Sequence, residues 1–121
     1  MAIAFKRVKF EVDRAPMANS YTAKQGFTIP GKIRQDEKGR PVFNVALQSY
    51  SLEVLENGNP SWTPMALDQV GLEIVHSEDT DEDGQVRLTL WRRNHPDPAK
   101  NPGWAFRGTV TALVIADLVS S

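Results

Sequence analysis

The chain has 121 residues, of which 40% are hydrophobic and 24% charged, and its formal net charge is −1 at pH 7. This length suits one domain with a hydrophobic core, so we expect a single domain over residues 1–121. The balanced charge lacks the electrostatic signature of a nucleic-acid-binding protein. Because cysteine is absent, disulfides, thiolate nucleophiles and cysteine zinc sites are excluded.

Membrane and export signals are missing from the sequence. No apolar run reaches the length of a membrane span, and the first residues lack the apolar segment of a signal peptide. We therefore expect a soluble protein of the cytoplasm or of a virion-type particle, with no nucleic-acid partner.

The N-terminal part of the chain predicts a strand. Val8, Phe10 and Val12 alternate with charged residues, which is the period-2 pattern of a half-buried strand. Residues 15–25 are mixed and polar, and we interpret them as a loop or a single helical turn. A short strand is predicted over residues 26–31, where a Pro-Gly pair closes it.

Residues 36–41 are polar and predict a hairpin tip, whereas residues 42–55 fit two patterns. Two runs of alternating apolar residues with opposite phases meet near Gln48 and Ser49, which predicts a strand with a β-bulge at that point. A helix is the alternative, because helical spacing also relates Phe43, Leu47, Tyr50 and Val54. The β-branched, aromatic and serine content favours the strand.

Two later segments predict a hairpin, and the C-terminal segment predicts a strand that is apolar on both faces. The alternating apolar residues of the hairpin are Val70, Leu72, Ile74, Val86, Leu88 and Leu90. In the segment 109–119, Leu113 and Ile115 face away from a second apolar row. Such a strand is buried on both faces, either at the centre of a sandwich or against another subunit. We therefore expect self-association through the 109–119 strand.

These elements together predict an all-β fold. About six to eight short strands with glycine and proline turns are typical of a single-domain antiparallel β-sandwich. The C-terminal run 108–116, which follows a tryptophan-containing strand, is similar to that of small lectin-like sandwiches, including the H-type lectins. The resemblance implies a lectin-like architecture by analogy of fold. No sugar-binding motif of those lectins maps onto this chain, so the resemblance implies no site.

An acidic segment lies inside the predicted hairpin. Asp79, Asp81, Asp83 and Gly84 form a D-x-D-x-D-G pattern, in which alternate carboxylates can surround one Ca²⁺. An EF-hand is excluded because its twelfth position falls on Leu90 and both flanks are strands. Two alternatives remain: a weak calcium site at the three aspartates, or an exposed acidic hairpin tip, which the Asp-Gly turn signal favours. Neither alternative requires a cofactor.

Two proline-rich loops, 56–64 and 94–104, carry tryptophan beside planar polar side chains. Sugar CH faces stack on indole rings while such side chains bond the hydroxyls. The candidate ligand-binding residues are Trp62, Arg92, His95, Asp97, Asn101 and Trp104. In the alternative interpretation, Trp91 and Trp104 cap the edge of the core and the loops have no binding role. His76 continues the apolar phase of the preceding strand, and we expect it to be partly buried.

The sequence contains no recognisable catalytic motif. No serine–histidine–aspartate pattern, phosphate-binding glycine loop or H-E-x-x-H occurs, so no catalytic residue is assigned and we do not expect an enzyme. Two function hypotheses follow. The first is a lectin-like, oligomeric binding module that recognises glycan or a protein surface through its tryptophan loops. The second is a structural subunit of a larger homo-oligomeric or phage-like assembly that uses the 109–119 strand as its contact surface.

Overall fold

The computed structural model describes residues 2–16, 20–56, 59–60, 67–78, 81–92 and 104–119. Seven strands follow one another in these ranges: β1 (Ala2–Pro16), β2 (Ser20–Phe27), β3 (Phe43–Glu56), β4 (Asn59–Pro60), β5 (Leu67–Val75), β6 (Gly84–Arg92) and β7 (Trp104–Leu118). The predicted all-β fold is confirmed. Across the described ranges, no helix is long and apolar enough to cross a membrane.

The strands form two antiparallel sheets that share one core. Sheet 1 has the order β1–β7–β3–β4, and sheet 2 has the order β2–β6–β5. Buried side chains from β1 and β7 of sheet 1 and from β6 of sheet 2 belong to a single apolar cluster. The arrangement is therefore sandwich-like, with two layers packed face to face.

Strict alternation along the strands builds this core. Seven inward side chains of β6 and β7 have no measurable exposure: Val86, Leu88, Leu90, Val110, Ala112, Val114 and Ala116. The predicted hairpin is also confirmed, because β5 pairs with β6 and sets Leu72 opposite Leu88. In β1, the predicted inward row of Val8, Phe10 and Val12 is buried as well. Period-2 patterning located the core correctly because each sheet has one covered face.

The ambiguous residues 42–55 lie almost wholly in strand β3, and the predicted bulge is present. The pairing of β3 with β7 shifts register between Leu47 and Ser49. Side chains before and after the bulge pair with buried residues of β7, so the extra residue keeps both apolar runs on the inward side. Leu47 and Tyr50 are nevertheless 43% and 54% exposed. The tightly packed core therefore stops short of this part of β3.

The interpretation of residues 15–25 is wrong. The described residues of this stretch, 15–16 and 20–25, are strand, since β1 continues to Pro16 and β2 begins at Ser20. The strand predicted over 26–31 is displaced, because β2 ends at Phe27. The reason is compositional: the inward positions of β2 include Tyr21 and the small Ala23, both half-buried, and its outward positions are polar. An edge strand of this kind shows only a weak apolar alternation.

The predicted hairpin tip at 36–41 is confirmed. The ends of segment 35–41 are bridged, and the Asp36 carboxylate accepts hydrogen bonds of 2.9 Å from the backbone amides of Lys38 and Arg40. These bonds, led by the one from Arg40, hold the pKa of Asp36 below its ordinary value. Gly39 completes the turn with a φ of 76°, a conformation that suits glycine.

Candidate functional site

The predicted ligand-binding residues fall largely outside the described ranges. Trp62, His95, Asp97 and Asn101 all lie outside them. Only the backbone is described for the other two: Arg92 is the last residue of β6, and Trp104 is the first of β7. The tryptophan-loop site therefore stays a prediction.

The acidic segment is bonded to the chain that leaves β2. The Asp83 carboxylate accepts a 2.6 Å hydrogen bond from the Ile29 amide, and the Asp83 amide donates to the Phe27 carbonyl at 2.9 Å. The Thr28 hydroxyl also donates to the carbonyl oxygen of Asp81 at 3.1 Å. The segment thus ties the β5–β6 hairpin of sheet 2 to the end of its neighbouring strand.

Glu82 has a comparable structural position. Its Oε2 accepts hydrogen bonds from the Ser77 hydroxyl at 2.7 Å and from the side-chain Nε2 of Gln85 at 3.4 Å. The carboxylate lies over Gly26, where a side chain would occupy the same space. Among the described residues, no group of three or more acidic, histidine or cysteine side chains is placed to hold a metal. Since Asp79 lies outside these residues, the calcium site stays a prediction.

His76, which precedes this segment, is exposed rather than partly buried, so that prediction is wrong. It follows the last residue of β5, Val75. Beyond the end of the strand, the alternation no longer determines which side chains are covered.

We expect Asp83→Ala to lower the free energy of unfolding by about 1–2 kcal/mol, because the Ile29 amide would lose a charged acceptor in a part-buried hydrogen bond. Urea denaturation measures the change. Glu78→Ala removes an exposed carboxylate from the same loop and serves as the control. Equal losses in the two variants would contradict a structural role for Asp83. A calcium site here would instead show as a melting temperature that rises with millimolar Ca²⁺ in the parent protein and not in Asp83→Ala.

The outward face of sheet 1 carries an apolar surface. Because the inward residues of β7 are even-numbered, Leu113 and Ile115 point outward, and both are half-buried. Phe5 pairs with Ile115 across the β1–β7 ladder and is 64% exposed, while Ile3 on the same face is 55% exposed. We call Ile3, Phe5, Leu113 and Ile115 the outer patch.

Charged residues border the outer patch along the strands. Arg7 and Lys9 follow Phe5 on the same face of β1. At the opposite end, the Asp117 carboxylate accepts a 2.9 Å hydrogen bond from Nε of Arg34. The patch is therefore an apolar area between a basic end, where Lys9 forms an ion pair with Glu11 at 3.8 Å, and the Arg34–Asp117 ion pair.

The outward face of sheet 2 is different, because it is polar around one tryptophan. Trp91 is 38% exposed, and its ring lies over Gly71 of the neighbouring strand. Beside it, Nε and Nη2 of Arg87 both donate to Oε1 of Glu73. Gly71, Glu73, Arg87, Thr89 and Trp91 border one shallow groove of about 270 Å³, which we call the Trp91 platform.

This platform was not among the predicted sites. Trp91 was expected, in the alternative interpretation, to cap the edge of the core, but the residue lies on the outward face of sheet 2. The signal was present in the sequence, since Trp91 shares the outward phase of Arg87 and Thr89, opposite to Leu88 and Leu90.

Comparison with known proteins assigns no family to this chain. Searches of protein-family models, of curated proteins and of solved structures each found no match. A function must therefore be argued from the two outward faces.

Proposed function

We propose that this protein is a structural subunit that associates with copies of itself through the outer patch. The observation that carries the proposal is the exposure of Ile3 and Phe5, more than half in each case, next to the half-buried Leu113 and Ile115. Large apolar side chains that lie together on one surface typically mark a contact with another protein. Covering Phe5 completely would contribute about 1–2 kcal/mol.

The contact uses the face of sheet 1 rather than its edge. β1 is an outer strand of that sheet, so its free backbone groups could pair with another chain. Its exposed side chains include Lys6, Lys9, Glu11 and Asp13. Charges of this density on an edge strand oppose strand addition, which leaves the apolar face as the favoured contact.

Three features make a second copy of the chain the preferred partner. With a net charge of −1, two copies repel each other only weakly. Consider a two-fold axis that lies in the plane of the interface and runs perpendicular to the strands. It packs the two patches face to face and places the basic ends of the two copies, with Arg7 and Lys9, at opposite ends of the interface. Phe5 also stands beside an open depression of about 580 Å³, which is bordered by Arg7, Gln48 and Leu113. The Phe5 ring of each copy could enter the depression of the other.

We expect the parent protein to sediment as an oligomer and Phe5→Asp to sediment as a monomer, because the carboxylate would be buried without a partner in the interface. Ile115→Asp should have the same effect. The measurement is sedimentation velocity over a range of protein concentrations. Thr22→Asp, at an exposed position on the outward face of sheet 2, is the matched control and should leave the oligomer intact.

A monomeric parent protein at all concentrations would refute self-association. If Phe5→Asp and Thr22→Asp both keep the oligomeric size, self-association occurs through another surface and the outer patch is the wrong site. Circular dichroism of each variant verifies that the strands have formed.

The binding-module hypothesis uses other residues and is separable by experiment. It predicts that Trp62→Ala or Trp104→Ala abolishes retention of a ligand without changing the oligomeric size. Assembly through the outer patch predicts the same oligomeric size for both variants, so ligand retention is the measurement that separates the two hypotheses.

A further inference from the structure

We propose that the Trp91 platform binds a saccharide, with one pyranose ring stacked on the Trp91 indole. The platform lies on the outward face of sheet 2, whereas the outer patch lies on the outward face of sheet 1. The inference is therefore independent of the proposed assembly, and it concerns residues other than the tryptophan loops.

Gly71 leaves room for the end of the Trp91 side chain. A side chain at this position would begin 2.6 Å from Cζ3 and 2.9 Å from Cη2 of Trp91, so the ring occupies the space that glycine leaves free. An aromatic ring beside a glycine on a neighbouring strand also shields the backbone of the sheet. This contact uses the Cζ3–Cη2 edge of the ring. With 38% of the residue exposed, part of the indole is open to solvent.

Hydrogen-bonding groups stand next to the exposed part of the indole. Thr89 is directly opposite Gly71 in the β5–β6 ladder, and Arg87 is directly opposite Glu73. The two hydrogen bonds from the Arg87 guanidinium to Glu73 both end on Oε1, so Oε2 and the remaining N–H groups retain bonding capacity. A hydroxyl-rich ligand needs this combination of donors and acceptors at the edge of an aromatic surface.

The spacing and size of the groove fit a small ligand. Alternate residues on one face of a strand are separated by about 7 Å, so Arg87 lies two such steps from Trp91 along β6. The groove of about 270 Å³ accommodates a ligand of one or a few sugar rings. Among the described residues, no strand lies beyond β5 in sheet 2, and the groove is open at that side.

Charge narrows the ligand class. Arg87 and Glu73 neutralise each other, and Lys24 lies opposite Arg87 on β2. The row across the three strands therefore has one positive charge in excess, which disfavours amino sugars with free ammonium groups. Neutral sugars and uronic acids share the pyranose ring that stacks on Trp91. Removing the charge of Lys24 distinguishes the two classes, because only the carboxylate of a uronic acid interacts with that charge.

The test is a titration with oligosaccharides of glucose and of galacturonic acid, followed by the indole N–H resonances in a ¹H–¹⁵N spectrum. The chain has three tryptophans, and Trp91→Phe assigns the resonance of Trp91. We expect this resonance to shift on titration. Trp91→Ala should weaken binding about tenfold or more, the effect typical of removing a central tryptophan from a contact surface. Gly71→Ala should weaken binding without unfolding the protein, because the added Cβ would displace the end of the partly exposed Trp91 side chain and would approach no backbone atom closer than 3.7 Å.

Tyr50→Ala is the matched control, since it removes an exposed aromatic ring elsewhere on the molecule and should leave the affinity unchanged. Lys24→Gln should lower the affinity for the galacturonic acid oligosaccharide and leave the affinity for the glucose oligosaccharide unchanged. Shifts confined to Trp62 and Trp104 would overturn the proposal and favour the loop site. Failure of every saccharide to shift the Trp91 resonance, or equal affinity in Trp91→Ala, would overturn it as well.

Discussion

Gly108→Ala should destabilise the protein by about 3–5 kcal/mol, since the alanine would combine a forbidden backbone conformation with a clash against backbone. Gly108 lies within β7 with a φ of 145°. A Cβ at this position would overlap the carbonyl oxygen of Ser51 and approach Cα of Leu52 to 3.0 Å. These atoms belong to the paired strand β3, so neither a rotamer change nor a small side-chain shift can relieve the overlap.

The structural context explains why glycine is needed at this position. Gly108 is paired with both Val12 of β1 and Leu52 of β3, and the β1–β7 register is irregular immediately after Val12. The central strand of sheet 1 is therefore held between two neighbours where the ladder is distorted.

Gly39→Ala is the matched control for Gly108→Ala. It also has a positive φ, 76°, but a Cβ there would meet no atom within 4 Å. We expect a loss of about 1 kcal/mol from backbone conformation alone. Guanidinium denaturation of both variants measures the difference. Similar losses of stability in the two variants would show that the clash with the Ser51 carbonyl oxygen does not contribute to the destabilisation.

Leu88→Ala should cost about 2–5 kcal/mol, because it removes a fully buried side chain and leaves a cavity. Leu88 lies in β6, the central strand of sheet 2, and its neighbours on both sides of the ladder are inward-facing. Neither adjacent strand can move into the cavity without breaking its own pairing, so we expect a value near the middle of this range.

Leu47→Ala deletes the same atoms from a residue that is 43% exposed. The expected loss is about 1 kcal/mol or less, since much of the side chain is already hydrated. Thermal and chemical denaturation of the pair give the comparison. If Leu47→Ala lowers the stability as much as Leu88→Ala, then Leu47 is covered in solution, and the part of β3 around Leu47 is an additional contact surface.

Much of the strand arrangement was predictable because it depends on local patterning. The alternation around Leu88, the bulge before Ser49 and the hairpin tip at Asp36 are each encoded within a few residues, and the structure confirms all three. The exception is β2, whose inward positions offer only partial apolar character. Its strand conformation depends on pairing with β6, which a local pattern does not reveal.

The candidate surfaces were less predictable than the strands. From the sequence, the 109–119 strand was expected to be buried on both faces; the structure confirms that Leu113 and Ile115 face away from the core, where they are half-buried. Their neighbours in the outer patch, Ile3 and Phe5, lie more than one hundred positions away in the chain. Only the antiparallel pairing of β1 with β7 brings them beside Ile115.

The sequence by itself determined the strand class of the chain and which side of most strands faces the core, because side chains alternate across a strand with a period of two. The tertiary structure decided which outward residues meet. Trp91 lies over Gly71 because β5 and β6 pair in one register, and a shift of one residue would turn one of these residues to the other face of the sheet. Register depends on contacts between distant segments, so the outer patch and the Trp91 platform exist only in the folded chain.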